Sequence, residues 1–373
     1  MLKAAQLEIA AYLLQHDLIS AASIVEGDLA VADASRRNRN FKVISERGPS
    51  YLLKQGVGPD GKATVAHEAV VYEFLRSLAE NDGLDECLLH YYGYDKKEQI
   101  LVLELVRGGQ DFQEYHARRG RFSILLARTM GKALATVHRL TRTYGNEHDD
   151  AQIFTVQLPG ALSIHRPDSG ILLDVSAANV ELIKVVQRSP EFCRSLDDLR
   201  EGWRTETLIH YDIKWGNCVI FSRPSSKRKT RLKIVDWEGA GMGDPCWDIG
   251  SVFSNYLSFW LLSIPIMGED PTERSIELAR YPLERMQPAM RSFWQSYVRY
   301  MELDAATSGE WLLRAVMYGA ARLVQTGYEH SQMSVHLTGN VGSLLQLGLN
   351  ILQRPQEAIV HLLGLPLRQA WYP

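Results

Sequence analysis

Two apolar runs, Cys218-Val-Ile-Phe221 and Leu232-Lys-Ile-Val235, flank a polar stretch rich in Ser, Lys and Arg. They read as the two strands of a β-hairpin. The string His210-Tyr-Asp-Ile-Lys-Trp-Gly-Asn217 leads into the first strand, and Asp236 ends the second. A hairpin returns the chain to the place it left, so Asp212, Asn217 and Asp236 are expected at one site. Those residue types suit one chemistry in particular. Phosphoryl transfer needs a carboxylate to orient the attacking hydroxyl and oxygen ligands for the magnesium that neutralises the β and γ phosphates. Asp212 supplies the first, and Asn217 and Asp236 the second. The plainer reading, that all three are turn residues, is open to any Asp or Asn taken alone.

The Asp followed five positions later by Asn resembles the kinase catalytic loop, with Asp236 in place of the Asp that opens the DFG motif. Asp236-Trp-Glu is followed by Gly243-Asp-Pro-Cys-Trp-Asp248. In this order the three strings resemble the aminoglycoside phosphotransferase family, the small-molecule branch of the protein-kinase-like fold. The resemblance implies an α+β, bilobal fold with a small β-rich N-lobe and a large helical C-lobe. It implies ATP and Mg2+ as cofactors and a hydroxyl group as acceptor. Lys54, in Tyr51-Leu-Leu-Lys54, takes the place of the strand lysine that meets the nucleotide phosphates. Glu68 takes that of its ion-pair partner, with Glu73 as a competitor on the same helix. Glu104 and Val106, in Leu103-Glu-Leu-Val106, fall where the backbone of the hinge would hydrogen-bond adenine. His210 is expected to hold the catalytic loop, and Asp248 to brace it.

The periodicity along the chain fits such a layout. A leading helix around Leu7–Leu14 precedes strand-like runs at Ser23–Val31, Phe41–Ser45 and Tyr51–Lys54, then a helix from about Thr64 to Leu78. Further strands are predicted at Leu88–Tyr92 and Ile100–Val106. From Ser123 onward the pattern is helical apart from the hairpin. The predicted domains are 1–106, a leading helix and nucleotide-binding lobe, and 107–373, a helical lobe. The second carries an insertion at 141–205 with helical patterns at Ala177–Gln187 and Glu191–Trp203, and about four more helices follow Asp248. The turn before the second strand, Asp33 to Asn40, lacks the glycines of a protein-kinase phosphate loop. Its backbone amides, Ser35 and its arginines either meet phosphate oxygens or form an exposed basic turn.

Charge and cysteine content exclude other classes. Lys and Arg total 41 against 44 Asp and Glu, a near balance that supplies no field for nucleic acid. Polar residues break the first twenty positions, and the most apolar stretch, Tyr256–Met267, is too short to span a bilayer. Cys87, Cys193, Cys218 and Cys246 show neither zinc spacing nor a disulfide framework, so a cytoplasmic setting is expected.

Lys214 departs from the antibiotic kinases the family is named for. In kinases acting on Ser and Thr a lysine two places after the Asp neutralises the transferring phosphoryl group. Asp149-Asp150, Asp197-Asp198 and Glu269-Asp270 are balanced by Lys184, Arg188, Arg194, Arg200 and Arg204, so no trap for a polycation is evident. The run from Asp-Ile-Lys-Trp-Gly-Asn to Tyr-Leu-Ser-Phe-Trp is similar to stand-alone kinases of ribosomal-peptide pathways, including class V lanthipeptide synthesis. That narrower resemblance implies Ser or Thr of a precursor peptide as acceptor and a separate lyase as partner. The alternatives are a kinase for an aminoglycoside-like antibiotic or metabolite, and a pseudokinase that binds nucleotide or a partner without transfer.

Overall fold

The computed structural model describes residues 4–35, 38–78, 83–147, 154–156, 158–167, 175–222, 230–265 and 276–366. Arg36, Arg37, Asp149-Asp150 and Glu269-Asp270 lie outside them. The chain divides into two compact units, Met1–Tyr115 with Gly216–Ala240, and His116–Trp215 with Gly241–Pro373. The hairpin thus belongs with the N-terminal segment.

The first unit is built on an antiparallel sheet of β1 (Leu29–Asp33), β2 (Arg39–Ser45), β3 (Tyr51–Gln55), β4 (Tyr91–Asp95) and β5 (Ile100–Glu104), in the order β1-β2-β3-β5-β4. Alternation along β2 buries Phe41, Val43 and Ser45 and exposes the residues between them. Phe41, Val43, Tyr51, Leu53, Ile100 and Val102 form a core on one face, closed by Ile9 and Leu13 of α1 (Ala4–Gln15). The chain between α1 and β1 differs from expectation. Ala21–Val25 is a short helix, α2, because the Ser20 side chain accepts a hydrogen bond from the Ser23 N–H and caps it. The strand begins only at Leu29. The fourth strand also starts later than Leu88, since the Cys87 carbonyl accepts from the Ile234 N–H and the Leu88 carbonyl from Lys233. That stretch is tied to the hairpin instead. The hairpin pairs Cys218–Ser222 with Thr230–Ile234, and Gln110–Asp111 lies on its other edge. The helix after β3, α3, spans Gly58–Leu78 and so starts before the expected Thr64.

The second unit is helical apart from Thr207–Ile209 paired with Gly241–Gly243. Ala177–Gln187 and Pro190–Glu201 are helices capped by Ser176 and Ser189. Among the described residues, the helix Pro245–Leu261, which carries Asp248, is followed by helices Gln287–Met301, Ala305–His330, Gly339–Gln353 and Pro355–His361. The Pro245–Leu261 and Ala305–His330 helices meet backbone to backbone at two glycines. A Cβ on Gly250 would lie 2.4 Å from the Ala315 carbonyl oxygen and 2.7 Å from the Gly319 nitrogen, and a Cβ on Gly319 would lie 3.0 Å from the Gly250 oxygen.

Candidate active site

In the first unit, β3 and α3 position a buried ion cluster. Lys54 alternates with Leu53, so it leaves the core face of the sheet. Glu68 belongs to the buried stripe Val65, Glu68, Ala69, Tyr72 and Leu75 of α3, where an apolar residue is the norm and a carboxylate must be paired. Lys54 provides the pairing. Its Nζ donates to Glu68 Oε1 at 2.9 Å and Oε2 at 2.7 Å, and to Asp236 Oδ1 at 2.7 Å. Burial by itself would lower the Lys54 pKa, but Glu68 and then Asp236 override it and hold the ammonium protonated well above its ordinary value. Glu73 is engaged elsewhere, accepting a hydrogen bond from the Tyr91 hydroxyl.

Asp236 stands in the left-handed region, φ 69 and ψ 56, which Asp tolerates better than most residues. The residue before it donates its N–H to the Asn217 carbonyl at 2.9 Å, one step beyond the Cys218–Ile234 pair of the hairpin. Asn217 and Asp236 therefore sit at the same end of the hairpin. One carboxylate and one amide are hard oxygen donors of the kind Mg2+ takes when phosphates complete its shell.

The remaining candidates of this unit are placed as follows. Ser35 closes a turn, its Oγ accepting from the Asn40 N–H at 3.1 Å while its own N–H donates to Asp33 Oδ1 at 2.8 Å. The Glu104 carboxylate is bound by Lys233 Nζ at 2.8 Å and by the His90 N–H at 3.0 Å. Burial would raise its pKa, but Lys233 and the His90 amide bring it below the ordinary value. The Val106 carbonyl accepts from Gly109, and the Leu105 N–H donates to Ser50.

In the second unit, Asp212 lies on a strained loop. Tyr211, just before it, has φ 74, an outlier for a bulky residue. Asp248 holds the loop there, its carboxylate accepting from the His210 N–H at 2.7 Å and the Tyr211 N–H at 3.0 Å. Asn255, two turns further along that helix, accepts from the Trp215 N–H at 3.0 Å and donates to the Ile213 carbonyl at 3.1 Å. His138 and Tyr297 back this arrangement: His138 Nε2 lies 3.3 Å from Asp248 and its Nδ1 lies 2.8 Å from the Tyr297 hydroxyl.

Lys214 Nζ donates to Asp212 Oδ2 at 2.6 Å, and Arg322 Nη2 donates to Oδ1 at 2.8 Å. Burial would raise the Asp212 pKa, but Arg322 and then Lys214 outweigh it and hold the carboxyl below its ordinary 3.8. Arg322 was not among the residues expected from the sequence. The signal for it was a lone Arg at a stripe position between Tyr318-Gly-Ala-Ala321 and Leu323-Val324.

The first unit thus holds a cation between two carboxylates and the second a carboxylate between two cations, charged groups of the kinds that phosphoryl transfer uses. The family model described as the phosphotransferase enzyme family, APH, matches residues 28–269, more than half of the chain. The chain belongs to this family. As an APH phosphotransferase it is an enzyme that transfers a phosphoryl group to a hydroxyl acceptor. Solved structures with the same fold include choline kinase from Cryptosporidium parvum Iowa II, at 14% identity and TM-score 0.53, covering 94% of this chain and 96% of that one. Another is the amicoumacin kinase hAmiN in complex with AMP-PNP, Ca2+ and Ami, at 13% identity and TM-score 0.50, covering 91% and 95%. At such identities the shared property is the protein-kinase-like α+β fold, with the small antiparallel sheet in the first unit and the helices in the second. No helix among the described residues of this phosphotransferase is long and apolar enough to cross a membrane.

Proposed function

We propose that this chain is a kinase that uses ATP and Mg2+ to phosphorylate an alcohol, with Ser or Thr of a ribosomal precursor peptide as the preferred acceptor. The observation that carries this reading is the carboxylate of Asp212 flanked by Lys214 and Arg322. In the proposed mechanism the Asp212 carboxylate orients the acceptor hydroxyl. A carboxylate held below its ordinary pKa by neighbouring cations is a weaker base than usual, so it favours orientation over early proton removal. The oxygen of the acceptor bonds to the γ phosphorus as the bond to the β-phosphate oxygen breaks, ADP leaves, and the hydroxyl proton passes to Asp212 or to solvent. Lys214 neutralises the charge on the transferring group. Lys54, fixed by Glu68, would bind nucleotide phosphates, and Asn217 and Asp236 would hold Mg2+, whose charge would offset that of the phosphates. The Glu104 carbonyl and the Val106 N–H would contact adenine. Ser35 is assigned a supporting part at the phosphates through its turn.

Two cations on the catalytic carboxylate oppose a polycationic acceptor, whose ammonium groups would meet Lys214 and Arg322. A neutral acceptor such as a peptide Ser or Thr meets no such repulsion. All four cysteines are thiols, in keeping with a reducing compartment such as the cytoplasm. A small-molecule acceptor is the second reading. It is favoured by the names of the choline and amicoumacin kinases of like fold. Incubation with ATP, Mg2+ and a candidate precursor peptide should add phosphate mass at Ser or Thr and leave kanamycin unmodified. Phosphorylated kanamycin with no transfer to any peptide would overturn the preferred acceptor.

A further inference from the structure

The second unit encloses a cavity of about 390 Å³ that the residues discussed so far do not line. This is within the range that holds a small ligand or one large side chain. Its walls are the turn Gly160–Ser163 with Ile164, Ile183 of the Ala177–Gln187 helix, and Gln325 and Tyr328 of the Ala305–His330 helix.

Two connections tie the cavity to the catalytic loop. The Tyr211 hydroxyl donates to the Leu158 carbonyl at 3.1 Å and meets the Gly160 backbone, so the residue before Asp212 reaches the rim. On the opposite wall, Gln325 Nε2 donates to Glu329 Oε1 at 3.0 Å, and the same oxygen lies 3.6 Å from Nη1 of Arg322. Arg322 in turn holds Asp212. It is 4% exposed, and its buried Nη1 makes no hydrogen bond among the described residues.

The lining is apolar for the most part, and among the described residues no carboxylate contributes to it. Arg166, its one formally charged residue among those described, has an exposed side chain bound to Asp197. An ammonium group in the cavity would find no carboxylate in the described lining, and the nearby Glu329 is already engaged by Gln325 and Arg322, so its desolvation would be poorly compensated.

We infer that this cavity is the acceptor subsite and takes an uncharged aliphatic or aromatic group carried a few bonds from the hydroxyl that receives phosphate. This rests on the phosphotransfer reading above. The group has two possible sources, a side chain beside Ser or Thr in a peptide and the body of a small alcohol.

The test uses the full chain and four probes: a capped tripeptide with Ser next to Phe, the same peptide with Lys in place of Phe, 3-phenylpropan-1-ol, and kanamycin. Binding is read by ligand-detected NMR, which needs no turnover, and transfer from Mg-ATP by product mass. Ser163→Phe fills the cavity and Ile164→Asp charges it; thermal melting reports whether each variant folds. The Phe peptide or the phenyl alcohol should bind the wild type and lose affinity by about tenfold or more in both variants. ATP hydrolysis without acceptor should stay within about twofold of wild type, since neither residue belongs to the loop. Tighter binding of the Phe peptide assigns a peptide source, and tighter binding of the alcohol a small molecule. Equal or better binding of the Lys peptide or kanamycin overturns the inference. So does failure of both apolar probes to bind, or binding that folded variants leave unchanged. Failure of the phosphotransfer reading is a separate result: acceptor-free ATP hydrolysis that is absent, or insensitive to Asp212→Asn.

Discussion

Lys54 lies between two carboxylates, whereas Asp212 lies between two cations. Within these trios the first carries a surplus negative charge and the second a surplus positive charge, which Glu329, 3.6 Å from Arg322 Nη1, partly offsets. The surplus in each indicates what it lacks. A cluster with an extra negative charge favours a divalent cation, and one with an extra positive charge favours phosphoryl oxygens and disfavours ammonium groups. The clusters also differ in how they are held. Glu68 is an acid placed in an apolar helical stripe, and a lysine on the neighbouring strand supplies its partner. Asp212 sits on a strained loop fixed by side chains of two separate helices.

The strongest way to break this contrast is at Asp212. Asp212→Asn should lower turnover by about two to four orders of magnitude while nucleotide affinity changes little. An equal loss of nucleotide affinity in a titration would mean that the positive cluster binds nucleotide and not the acceptor side of the reaction.

The next effect concerns the negative cluster. Asp236→Ala should weaken Mg-nucleotide binding by at least about tenfold, and leave metal-free nucleotide binding unchanged or stronger because Lys54 is released toward the phosphates. Calorimetric titration with and without Mg2+ decides it. Equal losses in the two conditions would remove Asp236 from the metal site.

Arg322→Met sharpens the comparison through pH. In the proposed mechanism the ionised form of Asp212 is the active one, and its pKa in the fold lies below the ordinary 3.8 because Arg322 and Lys214 outweigh the effect of burial. A depressed carboxyl contributes stability and activity that are present above its ordinary pKa and lost as pH falls through the folded value. Removing Arg322 should therefore raise the acid limb of the rate profile and lower maximal turnover by about tenfold. Arg322→Lys should recover part of both. An unmoved limb would make Arg322 a packing residue only.

The smallest effect is expected at Ser35. Ser35→Ala deletes the acceptor for the Asn40 N–H on an exposed turn and should cost about 0.5–1 kcal/mol of stability. Nucleotide affinity measured alongside should hold, whereas a tenfold loss would make the Ser35 hydroxyl a direct phosphate ligand.

Local patterns made the hairpin legible, because two short apolar runs of strand length flank a polar stretch. The helices Ala177–Gln187 and Pro190–Glu201 were legible for a similar reason, with Ser caps at their starts. Lys54 and Glu68 became visible through spacing relative to motifs further along the chain, and their ion pair appears in the fold. Arg322 was not legible. Its stripe position hints at burial, but its partner is 110 residues away, and helical periodicity does not name the carboxylate it meets. Lys233 was missed in the same way, inside a strand pattern, although it is buried and paired with Glu104. The helix Ala21–Val25 was read as strand because Ile24 and Val25 favour β structure, while the competing Ser20 cap acts through a single hydrogen bond.

The contact between Gly250 and Gly319 sets a dimension as well as a packing. Gly250 lies two residues from Asp248, which fixes His210 and Tyr211, and Gly319 lies three residues from Arg322, which holds Asp212. The crossing therefore acts as a gauge block for the loop: its thickness is one backbone against another, and one added methyl is the smallest error it can register. Gly250→Ala, with carbonyl and amide atoms at 2.4 and 2.7 Å from the new carbon, would force the helices apart and carry the brace and the guanidinium with them. The enzyme can thus lose its alignment with no charged residue substituted. Charge substitutions in a redesigned acceptor site would inherit this tolerance, so the two glycines limit how far Arg322 can be retuned independently of Asp248.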